Sequence, residues 1–178
     1  MKVKHERFSE QYDHVFGEYI DKVKTKYAAG IGLFLIRFSS LEHTLDTCIL
    51  DLLSDREHSS GYILIEGISP NSKIDLFRKL FHAFIRHMHP RRAAKLRALS
   101  ALVKRLHAAR VFRNYLAHAN WNTLDNTGYV RTKVDEKDGE VIFKKVRITP
   151  KVIKAWIRRV LELEKRLDHF AEDIGQIA

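Results

Sequence analysis

The 178-residue chain is poor in the residues that interrupt or staple a fold. It has one cysteine, three prolines and eight glycines. A single cysteine excludes a disulfide framework within the chain, and a reducing compartment is the plain setting. Cys48 lies inside an apolar helical run and reads as a small core residue. Long hydrophobic runs are missing as well. The longest, Ala28 to Phe38, is too short to span a bilayer. The start, Met1 to Arg7, lacks the apolar centre of a signal peptide. The expected location is the cytoplasm, with no membrane partner. No Gly-rich phosphate loop, Cys/His metal spacing or Ser-nucleophile motif occurs. Acids are the minority charge, with 22 Asp and Glu against 32 Lys and Arg, a formal net charge of +10. That surplus favours polyanions, with nucleic acid first, an acidic membrane surface second and an acidic protein third.

What is present is helical periodicity. Phe8, Tyr12, Val15, Phe16, Tyr19, Ile20 and Val23 predict a first helix over 6–27. Ala28 to Gly32 reads as a break or a close-packing point. Phe34, Phe38, Leu41, Leu45, Cys48 and Leu52 form the strongest stripe, over 31–53, with Glu42 on its edge. Ser54 to Ser60 reads as a loop, and Gly61 to Ile68 as a helical turn or core segment. Ser69-Pro70 starts a helix over about 71–88. His82, His87 and His89 have no cysteine and few acids near them and make a poor metal site. Arg86, Arg91, Arg92, Lys95, Arg97, Lys104 and Arg105 form a basic run, either a solvated helix face or a phosphate-contacting surface. Another helix covers about 91–119. Tyr129–Val134 and Glu140–Ile148 read as a β-hairpin whose connection, Asp135 to Gly139, is a loop rather than a two-residue turn. Arg131, Lys133, Lys144, Lys145 and Arg147 make it basic, an edge ornament or an RNA-facing flap. Thr149-Pro150 opens the last helix. No repeat or linker divides the chain, so one domain over 1–178 is expected.

The stretch from Arg110 to Trp121 organises the rest. Leu99, Leu102, Val103, Leu106 and Ala109 set an apolar stripe, and one more step along it lands on Arg113. A charge facing a packed surface costs free energy unless paired or wet. Asn114 and His118 share one helix face. Arg113 and His118 are turned apart by roughly 140° on an ideal helix. They converge on one target only if the helix ends or distorts there, or if a second chain supplies the other wall.

Arg113-Asn114-Tyr115-Leu116-Ala117-His118 ends an amphipathic helix, and a small residue and Trp121 follow it. Upstream lie Leu41-Glu42 and the helix start Ser72-Lys73-Ile74. This set resembles the HEPN superfamily, the "higher eukaryotes and prokaryotes nucleotide-binding" domains, in the Arg-Asn-x-x-x-His form of their motif. The resemblance covers residues 30–121 best. It implies an all-α fold, a HEPN-like helical bundle with a small β-hairpin (about 129–148) inserted before the C-terminal helix. It also implies a homodimer whose two motifs line one cleft.

A metal-free Arg/His pair suits cleavage of RNA by its own 2′-hydroxyl. The nucleophile lies in the substrate, so no cofactor is needed. His118 is the base, Arg113 the cation for charge developing on phosphorus, and Asn114 a hydrogen-bond partner of the ring or of a phosphate oxygen. Glu42 either supports Arg113 or is a half-exposed surface carboxylate. Arg91, Arg92, Lys95, Arg110, Arg131 and Lys133 are the candidate RNA contacts. Some relatives act as toxins or antiviral factors, which adds an antitoxin to the expected partners. The alternative is a HEPN-like dimer without activity that binds RNA or a protein, with Arg113 serving as a structural ion-pair partner.

Overall fold

The computed structural model describes residues 2–8, 17–53, 59–88 and 92–175. In chain order the elements are β1 (Val3–Arg7), α1 (Gly17–Leu52), α2 (Ser59–Glu66), α3 (Pro70–Met88) and α4 (Arg92–His118). They continue with a 3-10 turn (Trp121–Thr123), β2 (Tyr129–Lys137), β3 (Glu140–Arg147) and α5 (Pro150–Gly175). Two compact units contain them. One comprises Met1–Leu35 with Phe112–Ile157, the other Ile36–Val111 with Arg158–Ala178.

The fold is helix-rich but not all-α. Three strands form an antiparallel sheet in the order β1-β3-β2. Residues 3–7, two of which were expected to open the first helix, pair with β3 from Val3↔Val146 to Arg7↔Ile142. Pairing wins over helix here for a local reason. Alternation turns Lys4 and Glu6 to one side, where Glu6 accepts a hydrogen bond from Lys145 at 2.8 Å. Lys145 is 6% exposed, and a buried ammonium needs such a partner. The rest of the expected 6–27 helix falls partly on residues 9–16, outside the described ones.

Helix α1 runs unbroken through Ala28 to Gly32, so that stretch is a packing point and not a break. A Cβ on Gly30 would stand 3.4 Å from Ile153 Cγ2, which brings α1 and α5 close together. The expected Ser54–Ser60 loop falls mostly on 54–58, outside the described residues, and Ser59 already belongs to α2. Ser69 caps α3, its Oγ accepting from Ser72 N at 3.2 Å. Thr149 Oγ1 accepts from Val152 N at the start of α5, where Pro150 needs no donor.

The hairpin connection also differs from expectation. Strand pairing continues to Lys137↔Glu140, which leaves only Asp138 and Gly139 between the strands. Their φ values of 55° and 77° are the both-positive combination of a type I′ turn, whose twist matches the strands. The charged residues 135–137 look like a loop by composition, yet β2 carries them as an exposed extension.

In the first unit, Phe112 stacks on Trp156 at 4.8 Å and meets Phe34 edge-on at 5.1 Å. Val130, Val146, Ile148 and Ile153 are buried with them. The second unit buries Phe38, Leu41, Leu45, Cys48 and Ile49 from α1. Ile74, Phe77, Phe81 and Ile85 of α3, Leu99 to Ala109 of α4, and Val160, Leu163, Leu167 and Phe170 of α5 complete its core. Phe81 and Phe170 meet edge to face at 4.8 Å.

Candidate functional site

Helix α4 contains neither glycine nor proline and is dominated by strong helix formers. It stays helical to His118. Its apolar stripe passes from Ala109 to Phe112 and Leu116, both buried, and Arg113 lies half-buried on the flank. Arg113 therefore does not interrupt the core face. Its Nη1 donates to Oδ1 of its neighbour Asn114 at 3.4 Å. Asn114 is half-buried and His118 exposed. Because α4 neither ends nor distorts before His118, the turn of roughly 140° between Arg113 and His118 remains. The Arg113 guanidinium bends towards Asn114, which shares the His118 face, so the backbone turn is only partly offset by the side chain.

The end of α4 is held firmly. Ala119 N donates to Tyr115 O at 3.1 Å, and the Trp121 indole N–H donates to Leu116 O at 3.1 Å. Two carbonyls left over by the last helical turn are thereby satisfied. The Trp121 ring packs against Tyr27 at 5.8 Å. Asn120 then bridges to β2, its N–H donating to Arg131 O at 2.8 Å. Thr123 Oγ1 accepts from Arg131 N at 2.9 Å and donates to Asn120 O at 2.7 Å. The motif helix and the hairpin thus meet within one unit.

The hairpin register sorts its charges onto two faces. A bulge between Arg131 and Lys133 resets the alternation, and Thr132 Oγ1 donates to Lys144 O there. On one face Arg131 lies over the Phe143 ring at 4.7 Å, and Lys4 over the Tyr129 ring at 4.6 Å. Lys4, Glu6 and Lys145 share that face as an ion-pair cluster. The other face aligns His5, Lys144 and Lys133 across the three strands, and Lys144 Nζ stands 5.8 Å from the Tyr115 ring of the motif.

The remaining expected contacts lie elsewhere. Arg91 is outside the described residues, and Arg92 opens α4. Lys95 is half-buried, its Nζ 5.9 Å from the Phe170 ring. Arg110 is half-buried, and its Nε finds no acceptor among the described residues. Glu42 is half-buried on α1 in the second unit. One turn further on, Asp46 receives Lys73 Nζ at 2.7 Å, which ties the Leu41-Glu42 helix to the Ser72-Lys73-Ile74 helix. Of the residues expected to touch RNA, Lys133 is on the unit that holds the motif and is exposed. Tyr115, Lys144 and His5 were not singled out as site residues. Lys144 belonged to the basic hairpin set, and the bulge in β2 is what brings Lys133 onto its face.

Compared with family models, curated proteins and solved structures, the chain matches none. Among the described residues no helix is long and apolar enough to cross a membrane.

Proposed function

We propose that the protein is a metal-independent endoribonuclease of HEPN type. The observation that carries this reading is the exposed His118 at the anchored end of α4, in one unit with Arg113, Asn114 and the cationic hairpin. His118 takes the proton of a substrate 2′-hydroxyl. The 2′ oxygen bonds to the adjacent phosphorus, the bond to the 5′ oxygen breaks, and that oxygen takes up a proton from solvent. The products end in a 2′,3′-cyclic phosphate and a 5′-hydroxyl. Arg113 stabilises the charge that gathers on the phosphoryl oxygens. The angle between Arg113 and His118 calls for a homodimer, in which Arg113 of one chain faces His118 of the other. A toxin or antiviral role, with an antitoxin as partner in the first case, belongs to the same reading.

The test is incubation of the purified protein with mixed RNAs in EDTA, beside the doubly substituted Arg113→Ala/His118→Ala protein. Cleavage by the wild type alone supports the proposal. The second reading is a HEPN-like dimer without activity that binds RNA or a protein. The half-buried Arg113, engaged by Asn114, favours it. Under that reading no RNA is cut in any buffer, and Arg113→Ala lowers stability.

A further inference from the structure

We infer that the sheet face bearing His5, Lys144 and Lys133 is a track for the backbone of single-stranded RNA, leading to His118. The inference rests on RNA being the substrate, and it adds where and in what form the RNA lies.

The register sets the three residues side by side, with His5 opposite Lys144 and Lys144 opposite Lys133. Like charges placed directly across strands repel one another. The two faces of the sheet treat this cost differently. On one, Glu6 lies between Lys4 and Lys145 and pairs with both. On the other, the row contains no carboxylate. Among the described residues the Tyr115 ring stands near the Lys144 ammonium group, and Lys133 reaches Asp135 along its own strand. The Lys133–Asp135 pair is largely exposed, and a phosphate displaces such a pair at little cost. Asp135 and the Arg7–Glu140 pair share this face at its flanks, and among the described residues no carboxylate pairs with His5 or Lys144, which leaves that part of the face for an external anion.

The row leads to the motif. Lys144 stands at Tyr115, and His118 follows Tyr115 by three residues on the same side of α4. Neighbouring strands lie about 4.8 Å apart, so the row spans roughly 10 Å. That is room for about three phosphates at the 3.4 Å axial spacing of a stacked strand. Cations in line beside an aromatic side chain suit an unpaired strand, whose bases are free to stack. Arg131 is excluded from the track, because its guanidinium lies over Phe143 on the opposite face.

The experiment is fluorescence anisotropy with a labelled 2′-O-methyl oligouridylate, which binds without being cut, over a range of salt. His5→Gln, Lys144→Gln, Lys133→Gln and the triple variant are compared with Lys151→Gln, an equal loss of charge on exposed α5 surface of the same unit. The slope of log affinity against log salt falls by about 0.7 for each lysine of the row, and the triple variant loses at least the sum of the two lysines, about 1.4. Lys144→Arg restores the slope, which separates lost charge from lost folding. A triple variant with wild-type slope overturns the track. So does Lys151→Gln matching Lys144→Gln, or a duplex RNA that binds as tightly through the same row. Cleavage of ordinary RNA is followed in parallel. A wild type that cuts nothing yet binds through the row defeats the nuclease reading and leaves the track standing. Cleavage with row-independent binding does the reverse.

Discussion

The Lys145 ammonium is buried against the Glu6 carboxylate, 2.8 Å away on the neighbouring strand. Glu6 ties β1 to the hairpin, beside the more exposed Arg7–Glu140 pair. Glu6→Gln removes the charge that Lys145 needs and leaves a buried cation poorly satisfied. About 1–3 kcal/mol of stability should be lost, towards the lower end because Glu6 itself is partly exposed. Urea unfolding checks this, and an unchanged midpoint would refute the assignment.

The same contact sets a pH dependence. The hydrogen bond from Lys145, then that from Lys4, holds the Glu6 carboxyl below its ordinary value of 4.5. Its stabilising contribution is complete above that value and disappears as pH falls through the lower folded-state value. Lys4 is shifted upward, chiefly by its hydrogen bond to Glu6, so its contribution is present below 10.5 and fades as pH rises beyond it. Wild-type stability should therefore drop below about pH 4.5 more steeply than that of Glu6→Gln. Parallel acid titration curves for the two proteins would contradict this.

Gly128 has φ +88°, and a Cβ there would lie 2.9 Å from Thr149 Cγ2 and 3.1 Å from Ile148 O. Gly128→Ala meets both an unfavourable backbone and a close contact. It should cost roughly 1–3 kcal/mol. Gly139, also at positive φ, has open space around it. Gly139→Asn should be tolerated far better, and equal thermal shifts for the two variants would sink the distinction.

Cys48 is fully buried and its Sγ lies 3.7 Å from Leu167 O. Desolvation, then the nearby Asp51 and Asp168 charges, pushes the thiol up to about 12. The thiolate is the reactive form, so Cys48 should resist a disulfide reagent in the native protein at neutral pH. Modification should proceed at the rate of unfolding or local opening. Immediate stoichiometric reaction in buffer would contradict the burial.

For cleavage, His118→Ala should lower the rate by roughly 10²- to 10⁴-fold, as for a lost general base. Arg113→Ala should lose on the order of 10²-fold or more. If two chains build the site, mixing the two inactive variants should restore part of the activity through mixed dimers. Cleavage that needs Mg²⁺ and persists in His118→Ala would rule out this mechanism.

The helices were legible because their cores repeat at the helical period. Phe34 to Cys48, Ile74 to Ile85 and Ile153 to Phe170 announce their buried faces directly. The first strand was not legible. Lys-His-Glu-Arg carries no apolar alternation, and its stability comes from Lys145, far away in sequence. Arg113 was misplaced by one helical step. The spacing from Ala109 allows i+3 or i+4, and the bulky Phe112 takes the core while Arg113 moves aside. The basic hairpin was visible as a composition. That Lys133 joins Lys144 on one face depends on a one-residue bulge in β2 that composition does not record.

The β1-β3-β2 order has a consequence for the timing of folding. The Asp138-Gly139 turn lets β2 and β3 zip together locally as soon as both exist. Val3 finds its place beside Val146, which is made long after it. During synthesis β1 must wait for β3 before it can pair there. The sheet is then completed by its most distant partner, a slow loop closure set against fast local helices. A nascent chain halted before residue 140 would keep its start open to proteases or to a stray strand edge.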